Sequence, residues 1–504
     1  MADPVVAPAA TGSRILAPVE RLFDALTDPS RRTRTVAVLL IAFTAVWTLY
    51  FVLAHGGADV NWDVNEGILW SQDASFGHHP PVTAWAFAAW FGVFPRADWA
   101  SYLLAATCIG LTLWISWLLL SDWLDDSKRV VGLAMLTLLP FYTFLASKLN
   151  TNTIMMPFWA LTTLCFLRSF RHRSNSQALL AGAAGAAAVL SKYWSFYLIA
   201  GAGVAALLDP RRARYFRSPA PWLALAAGAA LLVPHALDVL RNPRTLAWVA
   251  ETGQQVGTVG ALLRSLAYLR DCVAYALPAI LVLVALRPRR AALSDIVAPS
   301  DADRRLVAVL FWVPLLLPPL VNVMAPHRLT SLWTFPNWSL LPVLLLATPL
   351  VTLQRRTAVR VLAVALALPL LAVIAAPLVA LALHASGATD RSARNSLLAA
   401  ATVEAWRAST GRPLKWVGGD KDQFEASAFY WPPGTRMLDD ENNETIARDG
   451  AALVCPAVEL GCVARIERLA QGAPSRKSEV ELRRRYLGID GRSARYVIIV
   501  IPPR

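Results

Sequence analysis

Between two apolar stretches, residues 55–81 read HGGADVNWDVNEGILWSQDASFGHHPP. The segment gathers the carboxylates of Asp59, Asp63, Glu66 and Asp73 and the imidazoles of His55, His78 and His79. These are the side chains that accept a proton from an attacking hydroxyl. Residues 63–72 suit a helix, which would put Asp63 and Glu66 on one face at i, i+3. Trp62, Ile68, Leu69 and Trp70 suit a water–lipid boundary, where aromatic rings anchor. A carboxylate held there is partly desolvated, which raises its pKa and makes it a better base. The same acids could equally form a solvated loop face, and composition does not separate the two readings.

Polar residues recur at membrane depth elsewhere. Lys148, Asn150 and Asn152 stand in SKLNTNTIMMP, Lys192 and Tyr193 follow a short Ala/Gly-rich run, and His327 and Arg328 precede LWTFPNW. A cation at that depth costs several kcal/mol unless paired or hydrated. A single one can snorkel to the interface. Three cations converging on the face that carries the acidic loop describe a base beside a pocket for an anionic headgroup.

The elements that must position these groups are membrane spans. The chain has 504 residues, 56% hydrophobic and 16% charged, with mean hydropathy +0.45; a soluble domain carries roughly 25% charge. Apolar runs fall at 35–54, 101–120, 130–147, 153–167, 178–190, 194–208, 221–240, 266–286, 306–322, 337–353 and 359–383. A full span needs about 20 residues, so the reading is about eleven crossings, with 153–167 and 178–190 short enough to be tilted or broken helices. Arg31, Arg32 and Arg34 precede the first run, and alternate loops repeat the bias with Lys128–Arg129, Arg168–Arg173, Arg211–Arg217, Arg287–Arg305 and Arg355–Arg360. Cations stay on the cytoplasmic side, so the N-terminal tail, 1–34, is expected to be cytoplasmic and the acidic loop to face outward. The formal net charge of +14 is then mostly loop arginine facing anionic lipid, and nucleic acid is not expected as a partner. The first apolar run starts too late and runs too long for a signal peptide. Ahead of it, Leu16, Val19, Phe23 and Leu26 form a weakly amphipathic stretch that suits the inner leaflet.

The expected organisation is a transmembrane catalytic domain over 35–384, whose functional loop is 55–100, followed by a small α/β domain over 385–504. The latter has mixed charge, the turn Pro432-Pro433-Gly434 and strand-like runs at 451–455 and 496–501. Cys455 and Cys462, close together in an oxidising compartment, suit a disulfide. Cys108, Cys165 and Cys272 fall in spans and read as inert core. No Cys/His spacing suggests zinc, and no Walker or Rossmann glycine pattern suggests a nucleotide donor.

In order, Asp63-Val-Asn-Glu66, then Gly77-His78-His79-Pro80-Pro81 and Trp85, resembles the acidic first loop of GT-C membrane glycosyltransferases. The resemblance is to bacterial glycosyltransferase family 39, akin to protein O-mannosyltransferases and the aminoarabinose transferases of lipid A. KLNTNTIMMPFWALTTLCFLRSF, SKYWSFYL with DPRRARYFRSPAPW, and LTSLWTFPNWSLLPV extend it, and GRPLKWVGGD and AFYWPP are similar to that family's outer domain. It covers nearly the whole chain.

The resemblance implies sugar transfer from a polyprenyl-phosphate-linked donor on the periplasmic face of a bacterial inner membrane. The donor is a substrate, no cofactor is implied, and the resemblance leaves metal dependence open. The acceptor would be lipid A or its core, another glycolipid, a polysaccharide or a protein. Asp63 matches the family's acidic position and is expected to be the base of an inverting displacement, with Glu66 orienting it or binding the acceptor. Lys192 and Arg328 are expected to hold the donor phosphate. His79, Lys148, Asn152, Tyr193 and His327 complete the expected substrate-binding set. The chain departs from many relatives where Val64 follows Asp63, where Asn152 replaces an acid and where His78 replaces a lysine. The residues alone also fit a transporter or flippase of lipid-linked sugars, which would need cations at depth but neither an acidic interface helix nor an outer domain.

Overall fold

The computed structural model describes residues 16–72, 79–242, 257–438 and 443–503. Asp73 and His78 lie outside them. The first helices in chain order are α1 (Ala17–Thr27), α2 (Arg32–Ala54), α3 (Trp62–Gln72), α4 (Val82–Val93), α5 (Asp98–Ser121), α6 (Asp126–Leu136), α7 (Thr151–His172), α8 (Asn175–Ser191) and α9 (Phe196–Leu208). Long apolar helices follow at Ala220–Arg241, Thr258–Ala285, Ala302–Met324 and Arg355–Ala385. Among the described residues, seven helices are long and apolar enough to cross a membrane, or eight when the bent pair Asp126–Leu136 and Pro140–Ser147 is one span.

All but one of the apolar runs read from the sequence fall on a helix or on that bent pair. The exception, 337–353, meets the end of a 3-10 stretch, Ser331–Leu340, and the short helix Leu341–Leu346. Pro336 and Pro342 lie within this segment, and proline removes a backbone donor, which breaks a regular span. The protein is a multi-pass membrane protein, with its spans packed round one continuous apolar core.

The arginine-rich connections meet on one face. Arg168 binds Asp122 at 2.7 Å, Arg171 reaches Asp303 at 3.3 Å, and Arg211 binds Asp209 at 2.8 Å and Asp303 at 2.5 Å. On that face α1 buries Phe23 and Leu26 against the bundle. Asp24 of α1 pairs with Arg355 at 2.5 Å. The amphipathic stretch therefore lays its apolar side on protein.

At the opposite end a separate α/β domain stands on the bundle. Its strands are β1 (Trp416–Gly419), β2 (Arg436–Met437), β3 (Ala451–Pro456), β4 (Arg476–Leu482), β5 (Arg485–Tyr486), β6 (Ile489–Asp490) and β7 (Ala494–Ile501). The main sheet has the order β2-β1-β3-β7-β4. β1 runs parallel to β2 and β3, while β7 runs antiparallel to β3 and β4, with Ala451 opposite Ile501. Residues 451–455 and 496–501 are all buried. Such strands read as continuous apolar runs because helices cover both faces. Leu398 and Trp406 pack on one face of the sheet and Ile466 on the other. Cys455 and Cys462 are joined as a disulfide, and Cys108, Cys165 and Cys272 are free and buried.

Candidate active site

Two local signals place the loop helix. Gly56 and Gly57 follow α2 and pass tightly under Tyr486 and His384, where an added Cβ would stand 2.7 and 3.2 Å from those side chains. Pro80 and Pro81 then lead into α4, consistent with proline's preference for helix entry. Between them α3 buries Val64 and Ile68 in a cluster with Phe87, Leu104, Leu149 and Phe429. Gly67 lies flat against Phe87, whose ring would be 2.5 Å from a Cβ at that position. Only a glycine fits there without displacing the ring.

With that face buried, Asp63 is left half-buried on the other. Asn150 caps α7: its Oδ1 accepts from the backbone N–H of Asn152 at 2.9 Å and of Thr153 at 3.3 Å. Its Nδ2 donates to Asp63 Oδ2 at 2.9 Å. An amide satisfied at both ends cannot turn freely, so the helix start fixes the carboxylate. The capping signal, an asparagine at the head of an apolar run, is present in the sequence; its second bond, across 87 residues, is not.

Lys192 follows α8 in an extended conformation, φ −160° and ψ 132°, which breaks the chain before the turn Tyr193–Ser195 and α9. Its Nζ donates to Asn152 Oδ1 at 2.8 Å and lies 4.5 Å from the centre of the Trp333 ring. Burial opposes its charge, Asp63 favours it and Arg328 opposes it. Asp63, Asn150, Asn152, Lys192 and Arg328 thus form one electrostatic group. Asn152 is thus the acceptor that holds the lysine.

Arg328 is exposed beside the segment that carries Trp333. Ser331 fixes that segment by donating to Asp271 Oδ2 at 3.0 Å, with Tyr275 Oη 3.2 Å away. Burial pushes the Glu66 carboxyl up to about 7, the charge of Asp63 adds to this, Trp62 works against it and Glu425 of the C-terminal domain adds again. Asp63 takes its hydrogen bond from Asn150, and its charge helps to raise the pKa of Glu66.

The remaining candidates are spread around this group. His79 stands edge-on to Trp70, ring centres 5.1 Å apart. Tyr193 shares a 2.8 Å hydrogen bond with His235 Nε2, a histidine the sequence reading did not single out, and the rings stack. His327 turns Nδ1 to the carbonyl of Ala325 at 2.9 Å. The exposed Lys148 accepts the Thr153 hydroxyl at its own carbonyl, 2.7 Å.

Asp59 belongs elsewhere. It is 3% exposed, accepts from the Ser396 hydroxyl at 2.6 Å and backbone N–H at 3.1 Å, and is ion-paired with Arg484. All these partners belong to the C-terminal domain. A further acidic pair, Asp420 and Glu459, lies beside Cys462, whose sulfur is taken by the disulfide.

Residues 78–237 match the model of the dolichyl-phosphate-mannose-protein mannosyltransferase family. No curated protein matches the sequence significantly. Among solved structures, ArnT from Cupriavidus metallidurans in the apo state superposes with a TM-score of 0.58 at 13% identity, covering 92% of this chain and 97% of that one. The same protein bound to undecaprenyl phosphate gives 0.58 at 14% identity with the same coverage. The fold of nearly the whole chain and the sequence of residues 78–237 agree on one description, a GT-C membrane protein similar to the family-39 glycosyltransferases.

Proposed function

We propose that this protein transfers a sugar from a polyprenyl-phosphate-linked donor to an acceptor hydroxyl at the outer face of a bacterial inner membrane. The observation that carries the reading is the group at α3, where a carboxylate fixed by Asn150 shares its surroundings with Lys192 and Arg328. A transporter of charged lipids would use the cations but has no need of a positioned base. That undecaprenyl phosphate binds a protein of the same fold supports the donor class.

In the proposed reaction, Asp63 accepts the proton of the acceptor hydroxyl as its oxygen attacks the anomeric carbon. A new carbon–oxygen bond forms and the carbon–oxygen bond to the donor phosphate breaks. Its electron pair stays on the phosphate, and the configuration inverts. Lys192 and Arg328 stabilise the charge that grows on the leaving polyprenyl phosphate, which is where fixed cations lower a barrier. Asn150 holds Asp63 in the line of attack. Glu66 contacts the acceptor, and His79, Lys148, Tyr193 and His327 line the approaches.

The test uses the purified protein in nanodiscs with a polyprenyl-phosphate sugar labelled in the sugar, and acceptor lipid extracted from the source membranes. Release of free polyprenyl phosphate together with labelled acceptor, without any gradient, is expected. In sealed vesicles, movement of intact donor across the bilayer with no cleavage would support the transporter and contradict the transferase.

A further inference from the structure

The C-terminal domain grips the loop at three points. Tyr430 Oη accepts from the backbone N–H of Val60 at 2.8 Å and donates to Asp98 Oδ1 at 3.0 Å. It thereby ties the chain just before α3 to the first turn of α5. The backbone N–H of Phe429 donates to Asn65 Oδ1 at 2.9 Å. Asn65 is 1% exposed, and the Phe429 ring packs among Val64, Ile68 and Phe87 beneath the helix. The third grip is the Asp59–Ser396–Arg484 pairing.

These contacts have a common geometry. At about 100° per residue, Asn65 lies about 200° round the helix from Asp63. The face held by the C-terminal domain is therefore nearly opposite the face that carries the carboxylate. A roll of α3 that loosened Asn65 from Phe429 would carry Asp63 away from Asn150. Secure docking and a correctly aimed carboxylate are then one mechanical condition.

We infer that Tyr430 and the Phe429–Asn65 bond are positioning elements of the proposed reaction, and that the C-terminal domain sets the angle of the loop helix. This rests on the reading of Asp63 as base. Tyr430 touches no reacting atom; replacing its hydroxyl leaves the Val60 amide and the Asp98 carboxylate without this partner.

The test compares full-length Tyr430→Phe with Tyr486→Phe, whose hydroxyl also crosses from the C-terminal domain, to Leu53 at 3.5 Å, but does not reach α3. Hydrogen exchange of segment 60–72, thermal melting and transfer kinetics are read on each. Tyr430→Phe is expected to speed exchange at 60–66 and lower kcat about tenfold, with donor KM and melting little changed. Tyr486→Phe should leave all of these near wild type. Unchanged exchange at 60–66, or faster exchange with unchanged kcat, would overturn the inference. Asn65→Ala, which removes the Phe429 acceptor and a longer bond to the Asn61 carbonyl at 3.4 Å, gives the same readout should Tyr430→Phe fold poorly. If Asp63→Asn kept full transfer while Tyr430→Phe still freed the loop and slowed turnover, the proposed base would be wrong and the clamp would stand.

Discussion

Asp59 and Asp63 are four residues apart in one loop and live in opposite surroundings. Asp59 is closed off, with a guanidinium, a hydroxyl and a backbone amide all from the C-terminal domain. Asp63 is half-open, with a neutral amide as its hydrogen-bond partner and two cations in the same electrostatic group. A carboxylate tied into an ion pair is a poor base, because taking a proton sacrifices the pair. One oriented by an amide keeps a lone pair for substrate. Type and spacing do not distinguish these acids; their partners do.

The largest expected effect lies on the docked side. Asp59→Ala leaves Arg484 without its carboxylate and should destabilise the protein by about 3–5 kcal/mol, read as thermal unfolding in detergent. Turnover per folded molecule should fall by at most about tenfold, through the loosened loop. An Asp59→Ala protein of wild-type stability would erase the contrast. On the open side, Lys192→Ala should lower kcat by roughly 10²–10³-fold if the lysine meets the charge growing on phosphate. A rise in KM alone would move its role to ground-state binding.

Glu66 sharpens the comparison through pH. Its folded-state pKa is raised, so the protonated form is the one folding favours. The stability it contributes is fully present below its unfolded value near 4.5 and lost as pH rises through about 7. Glu66→Gln should therefore be more stable than wild type at pH 8, by on the order of 2 kcal/mol, with the gap closing as pH falls toward 4.5. A gap that widened on acidification would show that Glu66 is held as an anion by a cation. The smallest effect is expected at Lys148, which is exposed. Lys148→Ala should change transfer by less than about fivefold, since exposed charges contribute up to about 1 kcal/mol.

The contrast also explains what the sequence could and could not disclose. The loop helix was legible, since residues 63–72 read as helical and α3 spans Trp62–Gln72. So were β3 and β7, from continuous apolar runs, and nearly every helix of the bundle. The partners were not legible. Asn150 lies 87 residues from Asp63 and Arg484 lies 425 from Asp59, and no periodicity encodes such a pairing. Trp333 under Lys192 and His235 against Tyr193 were hidden for the same reason. Family resemblance pointed to Asp63, but only packing shows why Asp59 is unsuited to the same work.

The most direct measurement sets Asp63→Asn beside Asp59→Asn, with transfer rate and melting temperature recorded on both. Asp63→Asn is expected to lose between about 10² and 10⁴-fold in kcat while melting near wild type. Asp59→Asn should show the reverse, a clear loss of stability with turnover within about tenfold of wild type. Near-normal turnover by a folded Asp63→Asn protein would contradict the assignment of the base.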